Sequence, residues 1–153
     1  MILYNASRSN ALPVSAQDFL TLIGNATRSF GVLEVDMQGM STASAATEAG
    51  LYRVSAAGTT GSGAVTPAPV NPASPAFGGL VWSGWTGQPT TSGLAQNIPA
   101  NANGQRYFWR AAPNLFNAIW SPGGGTAAPA AYISLRPLTI SGNWSARVQL
   151  AEI

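Results

Sequence analysis

From residue 31 onward, apolar and polar residues in this chain trade places every second position, and each run that does so is short. In the last run Trp144, Ala146, Val148 and Leu150 share one face while Ser145, Arg147 and Gln149 share the other. A period of two is the mark of a half-buried strand. Gly31 to Met40 behaves alike, with Leu33, Val35 and Met37 alternating with Val32, Glu34, Asp36 and Gln38. In Glu48 to Ala56, Gly50, Tyr52 and Val54 oppose Leu51, Arg53 and Ser55. In Gln105 to Ala112, Tyr107 and Trp109 alternate with Arg106, Phe108 and Arg110. Leu80–Thr86, Leu115–Trp120 and Ala131–Arg136 read as further strands, with a short one near Leu94–Ile98 inside the polar stretch Gly87–Gly104.

Turn signals separate these runs: Gly58-Thr59-Thr60-Gly61, Ser121-Pro122-Gly123-Gly124-Gly125 and Ser141-Gly142-Asn143. Thr66 to Gly79 carries Pro67, Pro69, Pro72 and Pro75, which excludes a central strand because proline donates nothing to the ladder. One segment breaks the pattern. Ser15 is followed three positions later by Asp18, then by Phe19, Leu20, Leu22 and Ile23 at helical spacing, with Gly24-Asn25 as a stop, so a short helix is expected over Ser15–Asn25. The fold class expected is all-β: one domain over residues 1–153, a β-sandwich or jelly roll of about eight short antiparallel strands plus that N-terminal helix. Residues 1–14 are expected as an extended arm and residues 66–79 as a long proline-rich loop.

Composition then removes most chemistry. The chain has no cysteine, histidine or lysine; seven arginines face five acids, and charged residues make up 8% of it, against roughly 25% in a typical soluble domain. Thiol and imidazole nucleophiles or bases, zinc-finger spacings and disulfides are therefore excluded. No Gly-x-Ser-x-Gly elbow occurs, and the glycines after Ser121 lack the lysine of a phosphate loop. Glu34 and Asp36 lie about 7 Å apart on one strand face, a separation compatible with paired glycosidase carboxylates. They read instead as part of a polar outer face that meets an arginine, and two acids supply too few oxygens for calcium. No catalytic, cofactor-binding or metal-binding residue is expected, and the protein is not expected to be an enzyme. The arginines are scattered along the chain, which argues against nucleic acid as a partner. No segment has the length of an apolar membrane span, and no membrane partner is expected.

The aromatic residues point elsewhere. Trp82 and Trp85 cannot both face inward on a regular strand, so one is expected to contact something else. With Arg106 and Arg110 they are the candidate interface residues, because interfaces are enriched in aromatics and arginine and depleted in lysine and acids.

A chain-long pattern carries a resemblance. The Ser15–Asn25 lead runs into Val32-Leu33-Glu34-Val35, followed by Leu51-Tyr52-Arg53, the Gly58-Thr59-Thr60-Gly61 turn, the Asn71-Pro72 to Pro75-Ala76 loop, and Trp85 with Pro89-Thr90 after it. This resembles small tailed-bacteriophage virion proteins of the jelly-roll capsid decoration, or cement, type. The resemblance implies a non-enzymatic homotrimer on the capsid exterior, assembled in the host cytoplasm, with the major capsid protein as partner and no cofactor. It brings no residue-level motif, so no site is carried over from it. The alternatives are a lectin-like module that stacks glycan on exposed tryptophan, or a structural protein of the tail or head–tail junction.

Overall fold

A computed structural model describes residues 1–12, 14, 17–25, 27–111, 119–121, 132–139 and 142–153. Its strands are β1 (Ile2–Ala11), β2 (Leu20–Ile23), β3 (Phe30–Gly39), β4 (Ala46–Ala56), β5 (Gly61–Ala64) and β6 (Ala68–Pro69), then β7 (Leu80–Trp85), β8 (Thr90–Asn101), β9 (Arg106–Arg110), β10 (Ile119–Ser121), β11 (Tyr132–Thr139) and β12 (Trp144–Glu152). They form two antiparallel sheets. The first has the order β10-β3-β12-β1-β6, and the second β5-β7-β2-β11-β4-β8. In the first sheet β9 pairs with Glu34–Gln38 and β10 with Phe30–Val32, so the two succeed each other along one edge of β3.

The core lies between the sheets. The first contributes Tyr4, Ala6, Val32, Val35, Val148 and Leu150, and the second Leu20, Leu22, Val81, Leu51, Ile133 and Leu135, all in one buried cluster. Alternation dictates this directly in β12, where Trp144, Ala146, Val148 and Leu150 are buried and the residues between them are partly exposed. A void lined by Phe19, Met37, Ala100, Leu135 and Trp144 has a volume of only about 10 Å³. That is room for a water molecule at most.

The helix expected over Ser15–Asn25 is absent. Leu20–Ile23 is strand β2, paired with β7 on one side and β11 on the other. Leu20 and Leu22 enter the main core, while Ile23 packs on the opposite face with Val54, Tyr132, Trp82 and Trp85. All four β2 residues are buried. Burial on both faces erases the alternation, and the resulting apolar run carries the same spacing as a helix turn. Gly24-Asn25 still ends the element, through a turn in which the Asn25 side-chain carbonyl accepts from the Thr27 and Arg28 amides at 2.9 and 2.7 Å. Ser15 and Ala16 fall outside the described residues, as do Leu115 to Ala118, the Pro122–Gly125 part of the glycine turn, Ala131 and Ser141.

Elsewhere the strands differ from expectation in detail. In β3, Gln149 pairs with Glu34 but Leu150 pairs with Val32, leaving Leu33 as a bulge. The bulge puts Val32 into the core and leaves Leu33 half-buried. β8 runs from Thr90 to Asn101, far longer than the Leu94–Ile98 strand expected, because pairing with β4 supplies order that its polar sequence does not advertise. Residues 2–11 are not separate from the body: β1 lies between β12 and β6. The proline-rich stretch contributes only the two-residue edge strand β6, which pairs with Tyr4 and Asn5. Its far end is held by Phe77, packed edge-on against Tyr4 and Phe30 with ring centres 5.3 and 6.1 Å away, and by Glu152, which accepts from the Gly78 amide at 2.9 Å and from Arg28 at 3.0 Å.

Candidate functional site

The outer face of the first sheet gathers the charge. The register places Arg110 opposite Glu34, Phe108 opposite Asp36 and Arg106 opposite Gln38 across the β9–β3 ladder. On the other side of β3, Arg147 lies opposite Asp36 and Ser145 opposite Gln38. Arg106 grips Asp36 with two parallel bonds, Nε to Oδ1 at 2.7 Å and Nη2 to Oδ2 at 2.6 Å. Arg110 Nη2 stands 2.7 Å from Glu34 Oε1, and Arg147 Nη2 lies 3.7 Å from both Glu34 Oε2 and Asp36 Oδ2. The hydrogen bonds from Arg106, helped by the charges of Arg106 and Arg147, hold the Asp36 carboxyl below the ordinary carboxylate range against the opposing effect of burial. The side chains of Arg106 and Arg110 are 62% and 67% exposed, whereas those of Asp36 and Glu34 are 15% and 8% exposed. The carboxylates are therefore sunk and the guanidinium groups stand above them, with Phe108 exposed between Arg106 and Arg110 on β9.

Glu34 and Asp36 do lie side by side on β3, as their spacing requires, and three arginines meet them rather than one. The other acids are committed as well. Asp18 pairs with Arg136, Glu152 with Arg28, and Glu48 accepts a hydrogen bond from Asn97. Among the described residues no three acids converge on a metal-binding position.

Trp82 and Trp85 lie on the other side of the molecule, the outer face of the second sheet, beside Ile23, Val54 and Tyr132. Neither enters the main core. Trp85 stacks on Tyr132 with ring centres 6.3 Å apart, and its Nε1–H donates to Thr21 Oγ1 at 2.7 Å. Thr21 in turn donates to Asp18, which Arg136 holds through Nε at 2.8 Å. Gly61 leaves room for the second indole: a Cβ there would stand 2.6 Å from Trp82. The four interface candidates thus divide, with the tryptophans half-buried on one outer face and Arg106 and Arg110 exposed on the opposite one.

Nothing in the sequence singled out Arg147 as a site residue. Alternation already put Arg147 on the outer face of β12, but only the β3–β12 register brings it to Asp36. Arg8 takes a different path. Its guanidinium donates to the Phe19 and Ser83 carbonyls at 3.0 and 2.7 Å and lies 4.5 Å over the Phe19 ring. Burial there pushes its ionisation below that of an ordinary arginine.

No family model and no curated protein sequence matches the chain. Among solved structures, the infectious bursal disease virus VP2 subviral particle aligns at 13% identity over 98% of this chain and 40% of that chain, with a TM-score of 0.19. The chain thus spans well under half the length of VP2, and a likeness of that size carries no argument about fold or function.

Proposed function

We propose that this chain is a structural virion protein: a decoration protein that sits as a homotrimer on the outside of a bacteriophage capsid and stabilises it by bridging major capsid subunits. The observation that carries this reading is the outer face of the first sheet. There the long charged side chains are held by ion pairs before any partner arrives, so docking them loses less side-chain entropy than docking free ones. Exposed Phe108 between two arginines adds the residue types that concentrate binding energy at interfaces. The chain-long resemblance to phage cement proteins points the same way. So does the occupation of all five carboxylates, which leaves none standing alone as a general base. On a symmetric shell, modest contacts of this kind add through multivalency.

A glycan-binding reading needs an indole free to stack on a sugar, but Trp85 already uses its N–H on Thr21 and one ring face on Tyr132. The test is addition of the purified protein to undecorated shells assembled from the major capsid protein of the same phage. Co-sedimentation and a higher shell melting temperature are expected, with sedimentation equilibrium reporting a trimer. Shells that neither bind the protein nor gain stability would overturn the proposal.

A further inference from the structure

The outer face of the first sheet is not flat throughout. Next to the ion-pair array lies an open concavity of about 270 Å³ whose lining includes Ser7, Asp36, Gln38, Arg106, Ser145 and Arg147. Its shape comes from β1, where the register with β12 shifts between Arg8 and Ala11 and Asn10 sits at a left-handed φ of 47°. Bulges of this kind re-aim side chains and recur beside binding sites. The bulge is anchored from both sides, since the Asn10 amide donates to Ser145 Oγ at 3.0 Å and Asn143 Nδ2 donates to Asn10 Oδ1 at 3.0 Å. Because Ser145 Oγ accepts there, its own proton can be offered to a further acceptor.

The charges in the concavity are arranged for an anion. Asp36 holds the Arg106 guanidinium by Nε and Nη2, which leaves Nη1 without a partner among the described residues. Arg147 stands 3.7 Å from its nearest carboxylate oxygens, too far for those contacts to use its donors as hydrogen bonds. Asp36 is the one acid in the lining, against Arg8, Arg106 and Arg147, so the lining keeps a net positive charge. At about 270 Å³ the space falls below the roughly 300–1,000 Å³ of small-molecule sites, and it suits one acidic group. Exposed Phe108 and Arg110 lie on the same face, and a bound protein segment would cover them whereas a free phosphate ion would not.

We propose that this concavity is an oxyanion-binding site that takes one carboxylate from an acidic segment of a partner protein, with Arg106, Arg147 and the Ser145 hydroxyl as donors. It deepens the decoration reading by naming the chemistry of the contact, yet its test uses the isolated protein and so stands or falls apart from shell attachment. The probe is tetraglutamate, titrated into isotopically labelled protein at fixed ionic strength while the backbone amides and arginine Nε–H signals are followed by NMR. Saturable shifts are expected at Arg106, Arg147 and Ser145. Arg147→Gln should weaken binding about tenfold or more, and Arg106→Gln should do likewise. Arg53→Gln, which removes the same charge from the second sheet, should leave binding within about twofold. Unchanged amide positions away from the face show that each variant is folded. Three results would overturn the proposal: no saturation, equal loss in Arg53→Gln, or saturation by inorganic phosphate but not by the peptide.

Discussion

Replacing Arg136 with methionine strips a buried carboxylate of its partner. The Asp18 side chain is fully covered and that of Arg136 is 11% exposed, with Nη2 of the arginine 2.6 Å from Asp18 Oδ1. The same guanidinium donates from Nε to Asp18 at 2.8 Å and from Nη2 to the Pro89 carbonyl at 2.9 Å. Methionine keeps most of the apolar stem and removes every one of these donors. Among the described residues, Asp18 would retain only Thr21 on its carboxylate. Breaking one half of a buried pair costs about 3–5 kcal/mol, chiefly because the remaining charge is uncompensated. For a domain whose whole stability is about 5–15 kcal/mol, that is about a fifth or more. At about 2–4 °C per kcal/mol, the melting temperature should drop by about 6–20 °C. Urea unfolding followed by tryptophan fluorescence is the natural assay, because Trp85 reports on the same network through Thr21. If the penalty is the stranded charge, adding Asp18→Asn to Arg136→Met should recover at least about 1 kcal/mol of coupling relative to additivity. A single-variant loss below about 1 kcal/mol, or strict additivity in the double variant, would refute the reasoning.

Acid should weaken the Arg106–Asp36 contact. Because the folded carboxyl ionises below its ordinary value of about 3.9, its stabilising contribution is fully present above that pH and lost as pH falls through the folded value. The melting-temperature gap between the wild type and Asp36→Asn should therefore hold from pH 7 to 5 and close below about pH 4; a gap that widens on acidification would contradict this. Gly61→Ala would push a methyl group to 2.6 Å from the Trp82 indole. It should cost about 1–3 kcal/mol and shift the tryptophan emission, whereas an unchanged spectrum and stability would mean that Trp82 does not rest there. Glu152→Gln weakens the clasp formed with Arg28, Tyr4 and the Gly78 amide. Hydrogen exchange at Gly78 should speed up by about ten- to a hundredfold, with β12 little affected; equal protection in both proteins would show that the clasp does not hold the loop.

The alternating runs were legible because a strand writes its orientation locally. Side chains on successive residues point to opposite faces, so Trp144, Ala146, Val148 and Leu150 announce their side of β12 whatever they pair with. The proline content of Thr66–Gly79 confined it to an edge for an equally local reason. Segment 15–25 failed for the converse one. β2 is covered by the core on one face and by Trp82, Trp85 and Tyr132 on the other. A strand buried on both faces loses the one signal that distinguishes it from a helix turn. Bulges were equally invisible, since the slip at Leu33 depends on where Leu150 finds its partner.

The arginines make the same division at the level of the site. Composition alone determined that they are the only basic side chains here, that acids are few, and that imidazole and thiol chemistry is impossible. It could not say that three of the seven would share one face with Glu34 and Asp36. Arg106 lies 70 positions from Asp36, and the two meet only because β9 docks on the free edge of β3 in a particular register. Local sequence sets which way a side chain points from its own strand. Which strand lies beside it is set by the packing of the whole sandwich, and that decided where the charges converge.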